Sequence, residues 1–596
     1  MFSNRRKRLA VILSLVLIFV LYLQWPAAQD ARLSWARPSP ALPQENLEDG
    51  KFHWSKVPQQ YQVTSFRSVP KPFRSKIPKI QHAFPAESAK SRAIRLSRLQ
   101  AVKGNFTHAF KGYAEHSWLH DEVAPLSGNS LDPFGGWAAT LVDSLDTLWM
   151  MGMHEEFERA IHSLDKIDFN TCSLEEINVF ETTIRYLGGF LAAYDLSGGK
   201  YSALLHKATE IGDMLYKAFD TPNRMPITRW NFKDAAGGAI QTAPEVILVA
   251  EIGSMTLEFT RLSQLSGNPK YFDAVQRIMD VFYEQQNRTK VPGLWPVVVN
   301  ARDLDFTGHG GFTIGGMADS AFEYLPKQYL LLGGAMEQYH ELYDGALKAM
   351  KRNIFYRPTT PTQADILFPG VVDSDGKTPV DELVTEGKAE HLGCFAGGMV
   401  ALAAKVFNNP ADLLTAKKLV EGCLWAYESM HQGIMPEIMH LLPCEDPSNC
   451  PWDEAKWHDA VNASYEEWLP TPVRVENERL LPGLIKIDDR RYILRPEAIE
   501  SVFILYRITG DPALPDRAWR MFNSIVANSL TDIAHAALDD ITVPNPPKAD
   551  SMESFWMAET LKYFYLIFSE PDLVSLDEYV FNTEAHPLRR PTTSWW

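Results

Sequence analysis

A chain of 596 residues, 45% hydrophobic and 11% aromatic, can bury a large core, and its length allows several domains or one large toroid or barrel. Its net charge of −16, with no long basic stripe in the body, argues against nucleic acid as a partner. The carboxylate excess instead suits a protein that handles neutral polar ligands or cations.

"NRRKR" (4–8) precedes "LAVILSLVLIFVLYLQW", an uncharged run of about 17 residues near the lower limit for crossing a bilayer. Basic residues before the run predict a cytoplasmic tail (1–8), a single-pass type II signal-anchor (9–25) and a lumenal body in the ER or Golgi. A cleaved signal peptide is the competing reading, because "PAAQD" (26–30) offers small residues for cleavage. Sequons at Asn105, Asn287 and Asn462 fit lumenal exposure. Five cysteines do not make a disulfide scaffold; in an oxidising lumen Cys394 can pair with Cys423 and Cys444 with Cys450, leaving Cys172 over. Residues 26–87 are rich in Pro, Ser, Lys and Gln, and read as an extended stem before a body that begins at residue 88.

The body repeats a helix–turn–helix pattern. "LAAYDLSGGKYSALLHKATEIGDML" (191–215), "EFTRLSQLSGNPKYFDAVQRIMDVF" (258–282), "ALAAKVFNNPADLLTAKKLVEGCLW" (401–425) and "SVFILYRITGDPALPDRAWRMFNSI" (501–525) each place a Gly/Asn/Pro turn between two helical patterns. About 500 residues at a period of roughly 70 give roughly seven hairpins, as an open α-solenoid or a closed α/α toroid. Polar connections carrying carboxylates favour the toroid.

Four segments set acids beside apolar helix turns. In "VFETTIRYLGGFLAAY" (179–194), Glu181 and Arg185 share a helical face; in "GGMADSAFEYLPKQYLLLGG" (315–334), Asp319 and Glu323 do so. "GIMPEIMH" (433–440) carries Glu437, and "LRPEAIESVFILYR" (494–507) carries Glu497 and Glu500 in a first helical turn after Pro496. Any one of these could be a cap or a surface ion pair. Opposed carboxylates in a sugar-sized cavity are the equipment of glycoside hydrolysis, one protonating the leaving oxygen and another activating water. "FNTEAHP" (581–587) poses a separate question: a docked tail, or a segment threaded back into a site.

"LVDSLDTLWMMG", "FETTIRYLGG", "ADSAFEYLPKQY", "HLGCFAGG", "LRPEAIESVFILYRITGD", "ESFWMAETLKYFYLIF" and "FNTEAHP" together resemble class I α-1,2-mannosidases, glycoside hydrolase family 47, in order from about residue 88 to 587. The resemblance implies an all-α (α/α)7 barrel over residues 88–596 and Ca²⁺-dependent, inverting removal of α-1,2-linked mannose from high-mannose N-glycans. By motif it implies Glu181 as general acid acting through a water, Asp319 as a second candidate acid, Glu497 as base and Glu437 as a further catalytic carboxylate. It places Arg185, Glu251, Glu323, His391, Arg495, Glu500, Phe555, Glu559 and Glu584 around the sugar and the calcium shell. Thr583 resembles the residue that ligates Ca²⁺ through hydroxyl and carbonyl, which makes the heptad a plug of the barrel.

Three departures concern substrate breadth. Met317 stands where members restricted to one mannose carry Arg, Pro326 replaces a Leu, and residues 441–490 form a longer insertion than expected. A monomeric processing enzyme is the expectation. The alternatives are a degradation-enhancing relative that binds or weakly trims misfolded glycoproteins, and a non-enzymatic solenoid scaffold.

Overall fold

The computed structural model describes residues 47–48, 51–72, 77–467 and 469–591, all within one compact unit built of helical hairpins. A long helix α1 (Ala89–His116) comes first. Six helical pairs follow: α2 (Leu145–Met150) with α3 (His154–Ser163), α4 (Gly188–Leu196) with α5 (Ser202–Tyr216), and α6 (Thr256–Ser266) with α7 (Lys270–Gln285). Then come α8 (Asp319–Leu331) with α9 (Gln338–Asn353), α10 (Phe395–Val406) with α11 (Pro410–Ser429), and α12 (Glu497–Thr509) with α13 (Ala513–Ser529). Finally α14 (Leu561–Ile567) packs on α1.

The four repeats read in the sequence are four of these pairs, and their turns work by the expected chemistry. Gly267 and Gly510 end α6 and α12 at φ of 71° and 70°, the left-handed conformation that glycine adopts without steric cost. Pro410 opens α11 where a missing N–H costs nothing. Pro326 lies inside α8, so the carbonyl one turn earlier loses its backbone donor.

Burial separates the helices into two classes. Nearly every residue of α4, α8, α10, α12 and α14 is buried, whereas α5 buries one face through Leu204, Ala208, Ile211 and Leu215. The buried helices touch in chain order, α2 to α4, α6, α8, α10, α12 and α14. Lys562 of α14 reaches Asp146 of α2 at 2.9 Å. The disulfide Cys394–Cys423 ties the start of α10 to α11, Cys444–Cys450 closes a short loop, and Cys172 is free, as the sequence allows.

Strands are short. The one three-stranded sheet runs β1 (Lys388–Glu390), β2 (Ile438–Leu441), β3 (Leu484–Asp489), all antiparallel, with Glu390 opposite Ile438 and Ile438 opposite Asp489. A last hairpin pairs β4 (Tyr579–Phe581) with β5 (Pro587–Arg589). The anticipated anchor at 9–25 lies outside the described residues; among those described, no helix is long and apolar enough to cross a membrane.

The stem reading of 26–87 needs correction where it can be followed. Residues 51–72 and 77–87 lie against the helical body: Trp54 packs on Trp230 and Phe232, and Trp54 and Ile80 are 2% and 0% exposed. Having little regular structure of its own, the segment satisfies its backbone amides on body carboxylates. Gln60 and Tyr61 donate to Asp220 at 2.7 and 2.9 Å, Arg67 to Asp273 at 3.0 Å, and Ile80 to Asp577 at 2.7 Å. The composition is that of a linker, but its few apolar residues are anchors. Burying two such side chains is worth roughly 3–6 kcal/mol. A variant starting at residue 88 should therefore melt several degrees below one starting at residue 47; equal melting curves would show that the segment contributes nothing.

Candidate active site

"FNTEAHP" is threaded inward. Its loop is closed by Asn582, whose Oδ1 accepts the amides of Glu584 and His586 at 3.0 and 2.7 Å, with Ala585 left-handed at φ 57°. The Asn582 Nδ2 donates to the Ile184 carbonyl at 3.0 Å and to Glu258 at 2.8 Å. Asn582, Ala585 and His586 are fully buried. The first glycine after "FETTIRYL" is explained by this passage, because a Cβ at Gly188 would stand 2.7 Å from Asn582 Nδ2; Gly189 instead lies against the Val142 carbonyl, 2.9 Å from where its Cβ would be.

Beneath the loop lies a buried charge cluster. His586 contacts Asp146 at 2.8 Å and Asp143 at 3.3 Å, and Lys562 donates to Asp146 at 2.9 Å and to the Ala585 carbonyl at 2.8 Å. Burial alone would lower the His586 pKa; Asp146, with the hydrogen bond to Asp143, outweighs it and the pKa is raised.

Arg185 links this cluster to Glu181. It lies in a π-helical turn, Thr183–Leu187, inserted between the short helix Val179–Thr182 and α4. Its Nε donates to Glu181 at 2.9 Å, its Nη1 to Ser554 at 2.9 Å and also to Glu584, and its guanidinium lies 4.6 Å from the Phe134 ring centre and 6.0 Å from that of Phe555. A second π turn, Trp556–Thr560, carries Glu559. Such wide turns rotate a side chain away from the regular helical register, and recur where function fixes its direction.

The remaining acids form two groups. In the first, Asp319 is the first residue of α8, entered through Met317 at φ 74°; Lys327, one helical face further on, pairs with Glu323 and stands 3.6 Å from Glu500. Glu390 steadies this entry by accepting the Gly316 amide at 2.7 Å. In the second, the three-stranded sheet brings distant segments together. The His391 amide donates to the Glu437 carbonyl and the Glu437 amide to the Arg491 carbonyl, both at 2.9 Å. Arg495 then pairs with Glu437 and reaches Glu497 at 3.3 Å, while His391 contacts Glu497 at 3.1 Å and the Tyr427 hydroxyl at 2.7 Å.

Electrostatics divides these carboxyls. Burial pushes Asp319 up to about 7, against the Ser320 amide and helped by the charges of Glu323 and Glu497. Burial pushes Glu500 and Glu584 up to about 8, with Lys327 and Arg185 respectively opposing, and it raises Glu559 well above the usual range, with Glu584 and Glu497 adding to the effect. Burial works the same way on Glu497, but Arg495 and the hydrogen bond from His391 overcome it and hold Glu497 below the usual carboxylate range. The two groups meet at the first turn of α12, which carries both Glu497 and Glu500, the latter 3.6 Å from Lys327.

Of the residues expected from the sequence, direct contacts join Glu181, Arg185 and Glu584, then Glu323 and Glu500 through Lys327, then His391, Glu437, Arg495 and Glu497; Glu251 stands apart, paired with Arg229 at 2.5 Å. Sequence reasoning missed Asp143, Asp146, Glu390, Glu553, Ser554, Asn582, Lys562 and His586. Two acids three apart in the otherwise apolar "LVDSLDTLW" were the available signal for the first two.

For a metal, Thr583 is the residue with oxygens to offer: its amide donates to Tyr324 at 3.2 Å, but neither its hydroxyl nor its carbonyl takes part in a hydrogen bond among the described residues. Among the described residues no three His, Cys, Asp or Glu side chains are grouped to hold an ion directly. A threonine hydroxyl and carbonyl free of hydrogen bonds, next in the chain to the raised carboxyl of Glu584, are oxygen donors of the kind a hard cation takes.

The model of Glycosyl hydrolase family 47 matches residues 105–590. The chain is 34% identical over 495 residues to the endoplasmic reticulum mannosyl-oligosaccharide 1,2-alpha-mannosidase of Homo sapiens, covering 82% of this chain and 64% of that protein's length. It is 32% identical over 499 residues to mannosyl-oligosaccharide 1,2-alpha-mannosidase MNS1 of Arabidopsis thaliana, covering 83% and 78%. Among solved structures, the alpha-1,2-mannosidase from Trichoderma reesei matches with a TM-score of 0.73 at 29% identity, covering 83% of this chain and 99% of that one.

Asn582→Ala removes four buried hydrogen bonds and leaves several polar groups unsatisfied, at about 1–3 kcal/mol each. Both Asn582→Ala and Gly188→Ala should lower the urea midpoint clearly; wild-type midpoints in both would mean that the loop is not threaded as described.

Proposed function

The chain belongs to glycosyl hydrolase family 47, and from that premise we propose that it removes α-1,2-linked mannose from high-mannose N-glycans with inversion, as a Ca²⁺-dependent enzyme of the secretory pathway. The observation that carries the reading is the opposed charge preference of Asp319 and Glu497, the first residues of α8 and α12, two helices joined by the Lys327–Glu500 contact: one carboxyl is held protonated close to neutrality, the other held ionised. Asp319 donates its proton to the glycosidic oxygen as the bond to the anomeric carbon breaks. Glu497, steadied by Arg495 and His391, takes a proton from the water that attacks the opposite face, so mannose leaves with inverted configuration. Glu181, the general acid implied by the resemblance, is engaged with Arg185 and becomes the alternative donor in this reading. Glu437 fixes Arg495, and Phe555 offers an aromatic face beside Arg185.

Thr583 would hold Ca²⁺ through its hydroxyl and carbonyl, and the ion, when bound, supplies coordination for vicinal hydroxyls of the terminal mannose. A closed (α/α)7 barrel is the architecture we infer, supported by the chain-order contacts of the buried helices and by the Lys562–Asp146 pair between α14 and α2. A type II anchor at 9–25 and a lumenal body are supported by the charge pattern of the N-terminus, by the paired cysteines and by the human relative's name.

With Asp319 as acid, kcat/KM should fall as pH rises through about 7, where its proton is lost. The acidic limb should lie below the usual carboxylate range, where Glu497 gains one. Asp319→Asn and Glu497→Gln should both fold and lose roughly 10²–10⁴-fold in turnover on a glycan. A mannosyl fluoride, whose leaving group needs little protonation, should restore turnover to Asp319→Asn and not to Glu497→Gln. Restoration of Glu181→Gln instead would move the donor role to Glu181.

Thr583→Val removes the hydroxyl at nearly constant volume and keeps the carbonyl. Activity and melting temperature, each titrated against free Ca²⁺, should both shift to higher concentration, because an ion that binds only the folded chain stabilises it by mass action. Superimposed titrations would exclude Thr583 as a ligand.

A further inference from the structure

Two consecutive residues at the end of β1 touch the supports of both Asp319 and Glu497. The Glu390 carboxylate accepts the amide of Gly316, three residues ahead of Asp319, at 2.7 Å. The next residue, His391, contacts Glu497 at 3.1 Å. The entry to α8 is built around the first of these contacts. Gly315 passes so close that a Cβ there would stand 2.5 Å from the Glu390 carboxylate. Its carbonyl accepts the amides of Ala318 and Asp319 at 3.2 and 3.0 Å, and its own amide donates to the Thr313 hydroxyl at 2.9 Å. Met317 gives its carbonyl to the Ala250 amide at 3.0 Å, but its φ of 74° is unfavourable for a side chain of this kind, so the turn needs restraint from outside.

The dipeptide that supplies the restraint is itself fixed. Glu390 lies opposite Ile438 in the sheet and pairs with Lys388, and the His391 amide donates to the Glu437 carbonyl at 2.9 Å. His391 is fully buried, with the Tyr427 hydroxyl 2.7 Å from its Nε2. Ser501, one helical turn on from Glu497, donates to the Cys394 carbonyl and accepts the Gly398 amide at 2.7 Å, while Cys394 is bridged to Cys423. Burial would raise the Glu390 pKa, but Lys388 and the Gly316 amide overcome it and hold this carboxyl below its usual range. Glu390 therefore offers an acceptor and no proton.

We propose that Glu390 is a positioning residue for the reaction, forming with His391 a two-residue spacer that sets the separation of the Asp319 and Glu497 carboxyls. Inversion makes that separation critical, because acid and base must stand about 6.5–9.5 Å apart to admit the attacking water beside the sugar. Glu390 acts on the acid alone: Glu497 keeps Arg495 and His391 whatever side chain stands at 390. This rests on the acid and base assigned above.

In the full chain, Glu390→Ala should lower kcat on an oligomannose glycan by about 10–10²-fold with little change in KM, the loss expected when a reacting group is misplaced by about 1 Å. Glu390→Gln keeps the length and an acceptor oxygen and should recover most of the turnover. Glu390→Asp keeps the charge but is one methylene short, and should not. On mannosyl fluoride, whose leaving group needs little protonation, Glu390→Ala should lose less than about threefold, because the base is untouched. The double variant Asp319→Asn/Glu390→Ala should be no slower on the glycan than Asp319→Asn, since a residue acting only through Asp319 then has nothing left to position. Equal losses on glycan and fluoride, or losses that multiply in the double variant, would overturn the spacer. So would wild-type glycan turnover in Glu390→Ala beside an impaired Asp319→Asn. Undiminished glycan turnover in Asp319→Asn is a different result: it would overturn the acid assignment, and the spacer with it.

Discussion

The structure depends on burying a polar hairpin in its middle. A loop such as Asn582–His586 cannot be dry unless each of its polar groups finds a partner, and a single unmatched buried amide costs about 1–3 kcal/mol. The partners come from far apart in the chain: Ile184 and Glu258 for the Asn582 amide, Asp143 and Asp146 for the imidazole, Lys562 for the Ala585 carbonyl. These residues lie on or beside α2, α4, α6 and α14, so the helices are held in place by what they must satisfy as well as by their apolar faces. Gly188 exists for the same reason, since any side chain there would occupy the hairpin's path.

Bringing that loop inward also gathers carboxyls. Glu584 arrives with it, beside Asp143 and Glu559, and the cations within reach are Arg185 and Lys327. Burial raises the pKa values of Glu500, Glu559 and Glu584 and neighbouring acids add to the rise, while Lys327, Arg185 and His586 oppose it without reversing it. Desolvated acids of this kind persist when something compensates for them elsewhere, whether a proton or a cation. The unbonded oxygens of Thr583 lie in the same loop as Glu584, where a cation would act on that imbalance most directly.

Much of this was legible in the sequence, for identifiable reasons. The hairpins could be read because their turns use residues whose backbone requirements are local: Gly267, Gly510 and Pro410 declare themselves without tertiary information. The acids could be read because charge beside apolar helix turns is costly and therefore meaningful. Residues 51–87 could not be read, because the partners of that segment are side chains of the body; composition describes what a segment lacks and says nothing of Asp220, Asp273 or Asp577 waiting for its amides. The π turns around Arg185 and Glu559 were equally hidden, since an extra residue in a helix leaves the apolar pattern almost unchanged. The left-handed φ of Met317 and Leu494, at 74° and 70°, left no trace either, because neither residue type favours it.

Those two strained positions bear on how one architecture yields an acid and a base. Met317 and Leu494 stand just ahead of α8 and α12, and each delivers a carboxyl, Asp319 or Glu497, as the first residue of a buried helix. The helix dipole favours the ionised form at both, by about 0.3–1 kcal/mol and at most ~2. At Asp319 this is insufficient: a rise from 3.8 to about 7 corresponds to roughly 4 kcal/mol against the charged form, from burial and from the neighbouring acids Glu323 and Glu497. At Glu497 burial acts in the same direction, but Arg495 and His391 contact the carboxylate itself and reverse the outcome. Position on the helix is therefore common to both residues and cannot assign their roles. The assignment comes from the partners: Arg495 lies two residues away in the chain and is held by Glu437, while the three-stranded sheet, bringing residues 391, 437 and 491 together at one end, delivers His391 from a distant segment.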